Sequence, residues 1–371
     1  MKKNEIPTPA LLVDYEKLKF NIEDMASRAK RANRNLRPHV KTHKTPVIAR
    51  MQIEAGAIGI ACAKLGEAEV MAAAGIEDIF IAYPIIGKDK VERLLNLACW
   101  VPRLSTSVDT YQGLYALNQA AAVRNLKLDV VVEVEAGYYR TGVLPGEPLL
   151  NFVKTILQDC PALHYKGLMY MAGGIGQVID TEAQRKAEVA GSKVAAEAAS
   201  YLKKSGIETE VIGGGSTPGA KFLDDIDPAV TEYRPGCYVF GDIRYADLGA
   251  NTREQMALTV LTTVVSIPDV LHPDRFVTDA GSKTLTHMPG ITSPGYGTLV
   301  QYPDLYISSP SEEHGVVRNI PAGHALPKNG EKLEIWPNYV SDTVNYFDKL
   351  WVVKKDEVIA NWEIQARGKN V

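Results

Sequence analysis

From about residue 16 to about 240, short apolar runs alternate with segments whose apolar positions recur at helical spacing. Eight runs read as strands: Leu36–Lys41, Ala57–Cys62, Asp78–Tyr83, Arg103–Val108, Leu128–Glu135, Tyr165–Met171, Glu208–Gly213 and Thr231–Arg234. Between them, Leu18, Ile22, Met25 and Ala29 step by four, three and four along one helix face, and Val91, Leu94, Leu95 and Ala98 repeat the pattern. Leu149, Val153 and Ile156 do so before Pro161. Thr181–Lys204 is rich in Ala, Glu and Lys, a strong helix by propensity. Gly56, Gly75 and Gly206 fall where helix C-caps are expected.

Strands alternating with helices predict a parallel sheet with helical crossovers. Eight of them in roughly 220 residues is the size of a closed (β/α)8 TIM barrel, here assigned to residues 15–250. An open doubly wound sheet is the alternative, weakened by the absence of a GxGxxG turn after the first strand. Beyond residue 250 the pattern changes to a long β-branched run, Ala257–Ile267, followed by short strands punctuated by Pro and Gly: Phe276–Ala280, Leu305–Ser308, Lys332–Pro337 and Leu350–Lys354. This reads as an all-β domain over 251–371. The first strand, Thr8–Asp14, has no helix before it and is expected to join that domain, giving 1–14 and 251–371 together.

Composition narrows the class. With 41 basic and 44 acidic residues the net charge is −3, and no basic stripe is available to hold nucleic acid. The four cysteines are scattered without metal spacing, as in reduced thiols of a cytoplasmic protein. The N-terminus lacks the apolar core of a signal peptide, and no apolar run approaches a membrane span. A soluble cytoplasmic enzyme with a small-molecule substrate is expected.

Three segments carry chemistry. In a barrel of this kind catalytic groups sit at the C-terminal ends of the strands. The first strand ends in Arg37-Pro38-His39-Val40-Lys41-Thr42-His43-Lys44. Period-two alternation puts Arg37, His39 and Lys41 on the inward face, with Lys41 at the strand's end, where a nucleophilic amine belongs. A basic loop binding phosphate by charge alone is the plainer alternative. Pro38 is a difficulty, since it removes a ladder hydrogen bond. The seventh strand runs into Gly213-Gly214-Gly215-Ser216-Thr217-Pro218, and the loops after strands seven and eight are the recurrent phosphate site of such barrels. The Pro235-Gly236 turn after the eighth strand, followed by Tyr238, lies beside it. Glu133 and Glu135 are expected to face inward, as substrate groups or as buried partners of Arg37 or His39, with Arg140 overhanging the mouth. An amine after strand one and a phosphate cup after strand seven suit pyridoxal phosphate.

The segment Arg37–Thr45 is similar to the pyridoxal-lysine segment of the D-threonine aldolase and D-serine dehydratase family. The likeness extends through Leu65–Glu69, Arg140–Val143, Gly213–Pro218, Glu232 with Arg234–Gly236, Asp279–Gly281 with Lys283, Ser311–Gly315 and Pro337-Asn338. It implies an alanine-racemase-like barrel with a C-terminal β domain and a pyridoxal phosphate cofactor. It further implies Lys41 as the Schiff-base lysine, with His39, Arg140 and Tyr170 about the cofactor. Gly214, Gly215, Ser216, Thr217, Gly236 and Tyr238 are implied about its phosphate. By the same resemblance the active form is a homodimer.

One departure stands out. Members of the family carry a His-x-Cys or His-x-Asp pair near the C-terminus that holds a divalent metal, and here those positions are Tyr339 and Ser341. Neutral hydroxyls are poor ligands for zinc or manganese, and Asp342 is expected on the opposite face of a strand. No metal is therefore expected, and Tyr339 or His314 becomes the candidate proton carrier for the substrate's β-hydroxyl. The leading expectation is a lyase on D-3-hydroxy-amino acids. The alternative is an amino-acid racemase with Lys41 and Tyr339 as its two bases; a non-catalytic cofactor carrier is a third reading.

Overall fold

The computed structural model describes residues 1–268, 274–318, 320, 321 and 323–371. They form two compact units: one of Glu23–Lys41, Pro46–Gly236 and Gly368–Val371, the other of Met1–Ile22, Thr42–Thr45 and Cys237–Arg367.

The first unit is built on eight parallel strands. Their spatial order begins Asn35–Leu36, Glu232–Tyr233, Val211–Gly214, Leu163–Tyr170 and continues Leu128–Val134, Arg103–Val108, Asp78–Pro84, Ile60–Cys62. Helices return the chain between them, as expected of an alanine-racemase-type barrel. Thr181–Lys204 is a single helix, started by the Asp180 side chain accepting from the Ala183 N–H. In the helix Tyr15–Arg31 the stripe Leu18, Ile22, Met25 and Ala29 is buried. Gly56, Gly75 and Gly206 have the positive φ of C-cap residues.

The first strand is shorter than the alternation predicted. Pairing as a regular strand covers Asn35–Leu36 alone, and Leu36–Lys41 does not form one strand. Pro38 is the reason: with no N–H to give, it breaks the ladder. The segment is still held on both sides. The His39 N–H donates to Pro235 O, the Val40 N–H to Ala61 O, and the Ala61 N–H to Pro38 O. A single bridge between His39 and Ala61 thereby joins the two ends of the strand order.

The second unit carries a nine-stranded mixed sheet. The β-branched run forms the strand Leu258–Ser266, which pairs antiparallel with both Ala10–Asp14 and Lys332–Trp336. Ala10–Asp14 pairs on its other side, parallel, with Lys349–Lys354. The unit is not all-β. Ile243–Asp247 and Val340–Asn345 are short helices, so Asp342 sits on a helix rather than on a strand, with its Oδ2 accepting from Thr286 at 2.8 Å. The fully buried Asp242 carboxyl explains both, capping the first at the Tyr245 N–H (2.8 Å) and the second at the Val340 N–H (3.0 Å).

Candidate active site

A cavity of about 530 Å³ opens in the barrel unit. Its lining comes from the C-terminal ends of seven of the eight strands: His39 and Lys41, Lys64, Tyr83, Glu133 with Arg140 and Thr141, Met169, Gly215, and Arg234. That is the end at which barrels of this type place their chemistry. The structure thus brings together the sequence-derived candidates Lys41, His39, Arg140 and Gly215. Lys41 is exposed, and its backbone N–H donates to His39 Nδ1 at 3.4 Å.

The glycine turn is shaped by two tyrosines. A Cβ on Gly214 would lie 2.1 Å from the Tyr170 ring, and one on Gly215, whose φ is +93°, would lie 2.2 Å from the Tyr233 ring. Side chains are excluded at both positions, so backbone lines the turn. The Ser216 hydroxyl accepts from the Gly219 N–H at 3.2 Å, and Thr217 Oγ1 accepts from the Gly236 N–H at 3.2 Å, fastening the two loops together. Tyr170 is fully buried beneath Gly214 rather than among the residues lining the cavity.

Arg37 takes a different place from the one its alternation suggested. Its guanidinium binds Glu232 at 2.8 Å and Asp78 at 2.5 Å, a buried network in which neither Glu133 nor Glu135 takes part. Glu135 instead accepts from the Gly137 and Tyr139 N–H groups and ties the loop that carries Arg140. Burial pushes the Glu133 carboxyl above its ordinary value, opposed by Thr141 and by the charges of Arg140 and Arg234. Arg234, which sequence reasoning quoted only as part of a motif, is buried with its guanidinium 5.2 Å from the centre of the Phe80 ring. Lys64 and Tyr83 were missed altogether. Their only signal was position, immediately after a strand or at its end.

The remaining candidates belong to the second unit. Tyr238 is buried in the turn Cys237–Val239. His314 is exposed in the turn before the strand Gly315–Val317. Tyr339 precedes the helix Val340–Asn345, its ring centre 6.3 Å from that of Tyr245. Ser341 Oγ donates to Thr42 Oγ1 at 3.2 Å and lies 3.4 Å from the Cys237 sulfur. The neighbouring Cys237 and burial push the Tyr339 phenol well above its ordinary range.

The residues present fit pyridoxal phosphate: an amine and a backbone-lined turn that no Cβ may enter share one cation-rich cavity. They do not fit the divalent metal. Tyr339 and Ser341 offer hydroxyls, the first held firmly protonated, where a metal needs deprotonated or imidazole donors. Among the described residues no cluster of three His, Cys, Asp or Glu side chains is placed to hold an ion.

Comparison with known proteins agrees with this architecture. Residues 13–244 match the alanine racemase N-terminal domain, and residues 257–353 match a putative serine dehydratase domain. D-threonine aldolase of Arthrobacter sp. is 35% identical, the match covering 98% of this chain and 93% of that protein. D-threo-3-hydroxyaspartate dehydratase of Delftia sp. is 29% identical over 96% and 97% of the two chains. The crystal structure of D-threonine aldolase from Filomicrobium marinum superposes with a TM-score of 0.91 at 33% identity, covering 100% of this chain and 98% of its own. No helix among the described residues is long and apolar enough to cross a membrane.

Proposed function

The chain belongs to the family of D-threonine aldolases and D-serine dehydratases, lyases built on an alanine-racemase-type barrel, and from that premise we propose that it is a pyridoxal-phosphate-dependent lyase of D-3-hydroxy-amino acids that uses no metal at Tyr339 and Ser341. The observation that carries this reading is the sharing of one cavity by Lys41 and Gly215.

Bound there, pyridoxal phosphate supplies an electron sink for the substrate's α-carbon. The protein's own groups do the rest. Lys41 Nζ is the amine that would hold the cofactor's aldehyde, and the turn from Gly214 to Thr217, with Gly236, would hold its phosphate. His39 orients the Lys41 backbone, and Arg140 supplies positive charge at the cavity wall. Tyr339 and His314 are assigned to the proton of the substrate's β-hydroxyl. A neutral phenol carries a proton, and dehydration asks for a proton on the departing hydroxide.

The test is incubation of the cofactor-loaded protein with D-threonine, D-serine and D-3-hydroxyaspartate, with and without chelator. A keto acid with ammonia marks dehydration, and glycine with an aldehyde marks aldol cleavage. Either, unchanged by chelator, supports the reading. An L-enantiomer as sole product assigns racemisation and overturns it, and loss of turnover on chelation overturns the metal-free part. Sedimentation velocity checks the expected homodimer.

A further inference from the structure

Behind the glycine turn lies a carboxyl that the proposed reaction does not use. Glu188, on the helix Thr181–Lys204, has no exposed surface. Its Oε1 accepts from the Tyr233 hydroxyl at 3.0 Å. Its Oε2 and the Tyr170 hydroxyl are both buried, and the phenol acts on the carboxyl as a hydrogen-bond donor. The turn rests on these same groups: Gly215 packs on the Tyr233 ring, Gly214 on the Tyr170 ring, and Gly219 against the Tyr233 hydroxyl and Glu188 Oε2. One carboxyl therefore sits between the two rings that set the shape of the turn.

The carboxyl serves both rings. A tyrosine hydroxyl donates as well as accepts, so Glu188 accepts from Tyr233 at Oε1 and presents Oε2 as the acceptor for Tyr170. The groups facing it are tyrosines, not cations; Arg234 and Arg34 act on Tyr170 rather than on the carboxyl. Burial pushes Glu188 up to about 7, opposed by the Tyr233 and Tyr170 hydroxyls. A phosphate dianion on the far side of the turn acts in the same direction, since like charge disfavours a second anion.

We propose that Glu188 is a positioning residue for the phosphate-binding turn: it holds Tyr233 and Tyr170 in the positions on which Gly215 and Gly214 rest. The inference rests on the reading of that turn as the cofactor's phosphate site.

The experiment is spectral titration of the cofactor-free protein with pyridoxal 5'-phosphate and, separately, with pyridoxal, which has no phosphate. Wild type, Glu188→Gln and Glu188→Ala are compared, with circular dichroism as the check on folding. Glu188→Ala is expected to weaken pyridoxal phosphate by roughly tenfold or more while leaving pyridoxal within about twofold. Glu188→Gln, which keeps an acceptor and a donor, is expected to restore the affinity. A Glu188→Gln that loses pyridoxal phosphate and pyridoxal to the same extent overturns the proposal even if Glu188→Ala fails to fold. So does an equal loss for both ligands in a folded Glu188→Ala, or no loss at all. A wild type that binds the two ligands equally well overturns instead the reading of the turn as a phosphate site, and the inference with it.

Discussion

Arg37 holds two carboxylates, Glu232 and Asp78, and all three side chains are largely buried. Removing the guanidinium strips buried Glu232 of its ion-pair partner and leaves Asp78 with the exposed Arg103 alone, the costly half of a broken buried ion pair. Arg37→Leu is expected to lower the unfolding free energy by about 3–5 kcal/mol, read by urea denaturation. Lys41, four residues on, is the opposite case. Its side chain is exposed and packs into no core, so Lys41→Ala should leave stability within about 0.5 kcal/mol. It should nonetheless abolish the visible absorbance that the wild-type protein gains on reconstitution with pyridoxal phosphate. Alternation had put both residues on one inward face. The structure gives the first to the stability of the barrel and the second to the cavity, because the chain between them carries Pro38 and cannot keep a strand's period.

Elements were legible where their cause was local. The helix Thr181–Lys204 matches its expected bounds because propensity and the Asp180 cap both lie within its own sequence. Replacing Asp180 by Ala removes that cap and should cost about 1 kcal/mol, measured by thermal or urea unfolding. The helix Val340–Asn345 was read as strand because its first N–H is satisfied by Asp242, 98 residues earlier. No window of sequence contains that bond. The site divides in the same way. Lys41 and the glycine turn announced themselves by motif, whereas Lys64 and Tyr83 became visible only when strand ends were gathered around one cavity. Glu188 was hidden for a subtler reason: in a helix rich in Ala, Glu and Lys, a glutamate reads as one more solvated charge. The turn itself gives an element-scale prediction. Gly215→Ala places a methyl group against the Tyr233 ring at a φ of +93°, so it should weaken pyridoxal phosphate in spectral titration by roughly tenfold or more.

At the scale of the whole molecule, the buried acids set the pH dependence of stability. Burial pushes Glu188 in the barrel unit and Asp242 in the sheet unit up to about 7, from ordinary values of 4.5 and 3.8. For an acid raised in this way, the folded protein keeps a proton that the unfolded chain has released. Its contribution is complete below the unfolded value and is lost as the pH climbs through about 7, with a slope of up to about 1.4 kcal/mol per pH unit for each group. Asp129 and Asp247 work from the other side. Burial opposes both, yet Lys166 and His164 hold the first, and Ser293 with the backbone N–H groups of 291–293 holds the second, below the ordinary carboxylate value. Their contribution is present above the unfolded value and is lost as the pH falls through the lowered one. The two tendencies meet near the unfolded carboxylate values, so cofactor-free protein should be most stable near about pH 4 and lose stability up to about pH 7, where both raised acids have released their protons. Thermal melts across that range check the slope. Asp242→Asn and Glu188→Gln should each remove part of it, and because the two acids lie in different compact units, their effects should add. A wild-type protein whose melting temperature rises from pH 5 to 8 would show that neither acid keeps its proton in the folded chain.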